Sequence, residues 1–198
     1  MAGLIRREDA DWMADKSGAF AAALLDNSKG RIDVVQDVIK RVPAEIALRF
    51  FGLQCDDVDG FADWTIALSA MLFGDPYGKP AVRAVAVNAA RRLGAVIDEA
   101  LVRARQRAAA GRLQDDTLLA RLVLAQGAHG LTDAEMRAMV TGMITGFVPT
   151  NMLAGTNMLE VLAQHPHGWD AAVTAARAGD SGTMRALVNN MVNGTTKG

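Results

Sequence analysis

A single cysteine, Cys55, stands in 198 residues. The chain can therefore form no internal disulfide and no zinc site built on several thiolates. Aromatic residues make up only 5% of the sequence, against 51% apolar residues dominated by Ala, Val, Leu and Met. That balance favours an all-α globular protein. A formal net charge of -1 gives no electrostatic case for a nucleic-acid partner. The start, Met1-Ala2-Gly3, soon reaches Arg6-Arg7-Glu8-Asp9 and has no apolar core of signal-peptide length. A reducing cytoplasm is the expected location. There is no internal repeat, no low-complexity tract and no convincing strand. One helical domain or fragment over residues 1–198 is expected.

What is present is helical pattern with stop chemistry between the repeats. Glu8 to Asp26 reads as an amphipathic helix ended by Asn27-Ser28-Lys29-Gly30. After Arg31-Ile32-Asp33 the pattern resumes. Pro43 suits the first turn of a helix carrying Ile46, Ala47, Phe50 and Phe51 and stopping at Gly52. A further helix spans about Asp57 to Phe73, closed by Gly74-Asp75-Pro76-Tyr77-Gly78. Val82 to Ala110 is rich in Ala and Arg, and its basic exposed face reads as solvated surface. Asp115-Asp116-Thr117 can cap a short helix through Leu124, with a turn at Gly127 to Gly130. The last helix is expected from about Ser181 to Val192, before a polar tail.

The longest helix begins on a complete signal: Thr132-Asp133-Ala134-Glu135 is a capping box, flanked by Leu131 and Met136 at stapling positions. It should end near Gln164, before His165-Pro166, because proline disfavours helix in the residue it follows. About 33 residues at about 1.5 Å each reach roughly 50 Å. Within it, Ala138 to Leu159 is a run of 22 residues without a charge, broken midway by Gly146-Phe147-Val148-Pro149-Thr150. At about 100° per residue, Ala138, Gly142, Thr145, Gly146, Pro149, Thr150 and Leu153 share one side, and Val140, Ile144, Phe147 and Val148 lie on the other. A small, weakly polar side lets a flat object approach the backbone, and Pro149 leaves the Thr145 carbonyl without its helical donor. Gly142 and Gly146 could instead admit a neighbouring helix. Thr141, Thr145, Thr150, Asn151, Thr156 and Asn157 make a poor lipid-facing segment, so no membrane span is expected.

LTDAEMRAMVTGMITGFVPTNMLAGTNMLEVLAQHP, Leu131 to Pro166, resembles the long central helix of the cytochrome P-450 haem-thiolate monooxygenases. Counting back from His165, the family threonine falls on Thr150, its leading small residue on Gly146, and its acidic position on Pro149. Arg31-Ile32-Asp33, PAEIALRFFGL (Pro43 to Leu53) and the acidic, leucine-rich Asp115 to Val123 resemble earlier family segments in the right order. The resemblance implies the helical portion of a P-450-like fold built around one long central helix, about 132–164. It implies haem as the family cofactor, a small hydrophobic substrate, and a ferredoxin- or flavin-type redox partner. It also implies that Thr150 relays protons during oxygen activation, and that Gly142, Thr145, Gly146 and Thr150 line the haem and substrate side.

The departures are as specific. RALVNNMVNG, Arg185 to Gly194, carries Asn190 and Asn193 where the family has a Glu-x-x-Arg pair. The cysteine loop and the N-terminal part are missing, and Trp12 with Lys16 only echoes the Trp-x-x-x-Arg propionate contact. Cys55 lies in a turn far from the family position and reads as a loop thiol. His129, His165 and His167 read as surface or capping residues, so no metal ligand is assigned. The expectation is an inactive, truncated P-450-like chain that does not hold haem stably and that self-associates through exposed apolar surface. The alternative is a non-enzymatic helical module that binds a lipid-like ligand or a partner chain. A third outcome is a truncated product without stable structure.

Overall fold

A computed structural model describes residues 4–113 and 115–192, omitting the side chains of His129 and Val192. Its order is α1 (Arg7–Asp26), one π-helical turn (Val34–Ile39), α2 (Arg41–Phe51), α3 (Val58–Gly74), α4 (Pro80–Ala109), α5 (Leu118–His129), α6 (Asp133–Gln164), α7 (Pro166–Ala178) and α8 (Ser181–Val192). Among the described residues there is no strand, so the fold is all-α as composition and pattern predict.

Local chemistry sets most boundaries. Asp33 accepts hydrogen bonds from the Val35 and Gln36 amides at 3.1 and 3.0 Å and caps the π turn. Asp57 and Thr117 do the same for α3 and α5, accepting from Gly60 N and Ala120 N. Gly52 ends α2 at φ 78°, a left-handed conformation that a side chain resists. The expected capping box is formed: Thr132 N donates to Glu135 Oε2 at 2.8 Å, and Glu135 N to Thr132 Oγ1 at 3.2 Å.

The chain divides into two compact units, Met1–Thr150 and Asn151–Gly198. In the first, α1 packs on α2, α2 on α3 and α5, and α4 on α3 and α5. Phe61, Leu93, Ile97, Leu122, Met136, Val140, Ile144 and Val148 are fully buried in its core. Each such side chain contributes roughly 1.5–3 kcal/mol of burial. The core ends on α6 at Val148 and Pro149, and none of residues 151–164 is fully buried, which is why the division falls there. In the second unit α7 packs against α8, and Asp180 caps α8 through the Thr183 amide and hydroxyl at 3.0 and 2.6 Å.

Two local expectations differ from the structure. α5 continues through Gly127 to His129, so the turn is Gly130 alone, at φ 61°. A helical glycine costs only about 1 kcal/mol, and the apolar run of α5 carries it. α7 was not anticipated from the sequence, although Pro166 at its first turn and left-handed Gly179 at its stop bracket it.

Candidate functional site

The first half of α6 is held firmly before the glycine–proline region begins. Arg137 forms a bidentate pair with Asp98 of α4, Nε and Nη2 donating at 2.6 and 2.7 Å. Arg105 of α4 pairs with Asp133, and Gln126 of α5 donates to the Leu131 carbonyl at 2.9 Å. The Arg105 guanidinium holds the Asp133 carboxyl below its ordinary range.

Beyond these ties the two faces separate as helical period predicts. Met136, Val140, Ile144 and Val148 are fully buried. On the other side Ala138, Gly142, Thr150 and Leu153 are exposed, and Gly146 is half-buried. A Cβ built on Gly142 or Gly146 meets nothing within 4 Å. Among the described residues no neighbouring helix comes against these two glycines. Thr145 and Pro149 differ from the rest of that side, since both are buried. Thr145 is 2% exposed, and its Oγ1 has no hydrogen-bond partner. The helix runs unbroken through Pro149. The four candidate residues thus lie along about two turns of helix, with Gly142, Gly146 and Thr150 opening outward and Thr145 facing inward.

Cys55 is half-buried in the loop between α2 and α3, and its thiol donates to the Asp57 carbonyl at 3.4 Å. Burial pushes the thiol above its ordinary value. It opens onto a groove of about 560 Å³ lined from α2, the loop, the start of α3 and α4, including Arg49 and Arg103, with no residue of α6. His165 is exposed between α6 and α7, its Nδ1 2.8 Å from the Val161 carbonyl, and His167 is exposed as well. The His129 side chain and Asn193 lie outside the described residues. Among the described residues no group of three or more His, Cys, Asp or Glu could hold a metal ion. Among them too, no helix is long and apolar enough to cross a membrane.

The best-built polar cluster was not anticipated. Arg121 of α5, 8% exposed, donates to both Asp9 carboxylate oxygens at 2.7 and 2.8 Å, to Asp116 Oδ1 at 2.7 Å and to the Leu4 carbonyl at 2.9 Å. Those bonds hold the Asp9 and Asp116 carboxyls below the usual carboxylate range and raise the Arg121 guanidinium further. The available signal was a single charge within the apolar run Leu118-Leu119-Ala120-Arg121-Leu122-Val123-Leu124. A buried charge of that kind needs a partner from elsewhere in the chain.

No family model matches the chain. It is 30% identical over 173 residues to the erythromycin C-12 hydroxylase of Saccharopolyspora erythraea. The match takes in 86% of this chain and 40% of that protein, so the chain spans about two-fifths of the relative's length. The similarity supports the cytochrome P-450 resemblance at the level of family.

A haem needs a face to lie against and an axial donor for its iron. The open side of α6 fits the first requirement. Among the described residues Cys55 and His165 do not fit the second: Cys55 is tied into a loop that opens onto α2, α3 and α4. His165 engages the last turn of α6.

Proposed function

We propose that this chain is the helical middle of a cytochrome P-450-like protein whose complete relatives are haem-dependent monooxygenases oxidising small hydrophobic substrates. By itself it is an inactive fragment. The observation that carries the reading is the 30% identity to a hydroxylase over 86% of the chain. The outward-opening Gly142 and Gly146 support it, because a flat group could reach the α6 backbone there without displacing a neighbour.

In this reading Gly142, Gly146 and Thr150 line the cofactor and substrate side, and Thr145 stands behind them. Thr150 keeps an exposed side chain able to hold or pass a proton. Pro149 carries no titratable group, so the family's acidic proton source is absent beside it. The redox partner of the whole protein would be of ferredoxin or flavin type. Cys55, in the α2–α3 loop on a groove without any α6 residue, offers no axial thiolate to the open strip, and the isolated chain therefore binds haem weakly and does not turn over.

The test is purified chain titrated with hemin, then reduced with dithionite under carbon monoxide. The expected outcome is no thiolate-type Soret band and no hydroxylation of any hydrophobic probe. A thiolate-type band would overturn the assignment of inactivity. The rival reading, a non-enzymatic module for a lipid-like ligand, predicts displacement of a fluorescent fatty acid that Gly146→Leu abolishes.

A further inference from the structure

We propose that the groove between α2, the α2–α3 loop and α4 binds a free aliphatic α-amino acid as its zwitterion. The groove holds about 560 Å³, within the range of small-ligand sites. Two glutamate–arginine pairs of i,i+4 spacing line it, Glu45 with Arg49 on α2 and Glu99 with Arg103 on α4. Both pairs are long, at 3.9 and 3.5 Å, where the pairs of Lys40, Arg121 and Arg137 close to 2.6–2.7 Å.

Neither guanidinium has used up its donors. Arg49 lies over the Phe20 ring, 4.6 Å from its centroid, and makes no hydrogen bond among the described residues. That contact holds the cation without consuming an N–H. Arg103 donates from Nη1 to Glu99 at 3.5 Å, longer than an ordinary N–H···O bond. Its Nη2 is buried and has no hydrogen-bond partner. A buried donor without an acceptor is costly, so rotating this side chain, 33% exposed, toward an acceptor in the groove is favourable. A carboxylate is the acceptor that meets a guanidinium edge with two parallel bonds.

The charge balance says what else the ligand carries. Glu45, Asp56 and Glu99 line the groove beside the two arginines, so a phosphate or dicarboxylate would meet a net negative wall. Asp56 is exposed and has no ion pair among the described residues, which leaves it for an ammonium group. Leu48, Leu53 and Val58 give the same groove an apolar wall, suited to a short aliphatic side chain. Cys55 adds no charge, because its thiol is held above its ordinary value and donates to the Asp57 carbonyl. The carboxylate thus goes to the arginines, the ammonium to Asp56 and the side chain to the leucines. The groove contains no residue of α6, so its occupancy is independent of any group on the open strip.

The experiment uses the full chain with L-leucine, and with isocaproate and isoamylamine as the same skeleton lacking one charge each. Binding is read by ligand-observed NMR. Its place is read from iodoacetamide alkylation of Cys55, the single thiol of the chain. L-Leucine should bind, slow the alkylation and exceed either analogue in affinity about tenfold. Arg49→Gln and Arg103→Gln should each weaken L-leucine about tenfold, the worth of one charged hydrogen bond. Asp56→Asn should weaken L-leucine by several-fold and leave isocaproate unchanged, which separates the two ends of the ligand. Arg107→Gln, one turn beyond Arg103 and outside the groove, should stay within about twofold. All four positions are exposed or half-buried, and unchanged helical melting will verify folding. No binding up to the solubility of L-leucine, binding without slowed alkylation, or isocaproate as tight as L-leucine would overturn the proposal. Undiminished binding by Arg49→Gln and Arg103→Gln would overturn it too.

Discussion

Replacing Arg121 by Met removes the guanidinium and keeps most of the apolar stem. The side chain makes five hydrogen bonds, to Asp9 Oδ1 and Oδ2, Asp116 Oδ1, Asp116 O and Leu4 O. Asp9 is 7% exposed and would be left charged with only the Arg6 amide, at 2.7 Å, as a donor. Removing one partner of a buried pair costs roughly 3–5 kcal/mol. For a domain of this size that lowers the melting temperature by roughly 6–20 °C. Asp9→Asn should cost less, roughly 1.5–3 kcal/mol, because Arg121 keeps Asp116 and the amide oxygen still accepts. The Trp12 ring lies 6.2 Å from Phe50, and the Arg121 guanidinium lies 6.0 Å from the same ring, so Trp fluorescence in urea reports whether α1 stays docked. The sign with pH follows from Asp9 being held below its ordinary value by the Arg121 hydrogen bonds. Its contribution is fully present above the unfolded carboxyl value near ~3.9 and is lost as pH falls through the lower folded value. Acid unfolding below about pH 4 should therefore be shallower in Asp9→Asn. Arg121→Met within about 1 kcal/mol of the parent, with an unchanged urea slope, would refute the buried clamp.

Gly52→Ala should destabilise sharply. Its Cβ would lie 2.6 Å from Thr117 Oγ1 and 2.9 Å from Thr117 Cβ, at φ +78°. Left-handed backbone costs roughly 1–2 kcal/mol, and disturbing the Thr117 cap of α5 roughly 0.5–2 kcal/mol more; a urea midpoint equal to the parent's would contradict this. Thr145→Val should be neutral or stabilising by about 1 kcal/mol, since the buried hydroxyl has no partner to lose. A clear loss of stability would show that the hydroxyl is bonded. Gly146→Leu should melt at or above the parent temperature, because open space surrounds the site and helix propensity improves by about 0.8 kcal/mol. A drop of several degrees would mean that the small face is packed.

What could be read in advance was local. Asp33, Asp57, Thr117 and the Thr132–Glu135 box act on amides within three residues, and each one marks a helix start in the structure. The left-handed stop at Gly52 is equally self-contained. The pair between Asp9 and Arg121 joins residues 112 apart, and no spacing rule connects them. The division after Thr150 has no local signature for a related reason. α6 has the same apolar character on both sides of that point, and only packing reveals that buried positions stop at Val148 and Pro149.

The candidate site shows where periodicity itself runs out. Treating α6 as a cylinder with about 100° per residue places Thr145 with Gly142 and Gly146. It cannot say how wide the buried arc is. Counted from Met136, Val148 falls at about 120°, Thr145 at about 180° and Pro149 at about 220°. All three are buried, so the core wraps beyond half the circumference at this level of the helix. Gly142, at about 240°, is the first position past that edge to open, and its neighbour Gly146 is only half-covered. Anything resting on the open strip touches the two glycines and Thr150 and finds Thr145 behind the backbone. A Thr145→Val variant should therefore leave apolar-probe binding unchanged while Gly146→Leu abolishes it. Equal loss in both would place Thr145 on the open side and move the edge of the core.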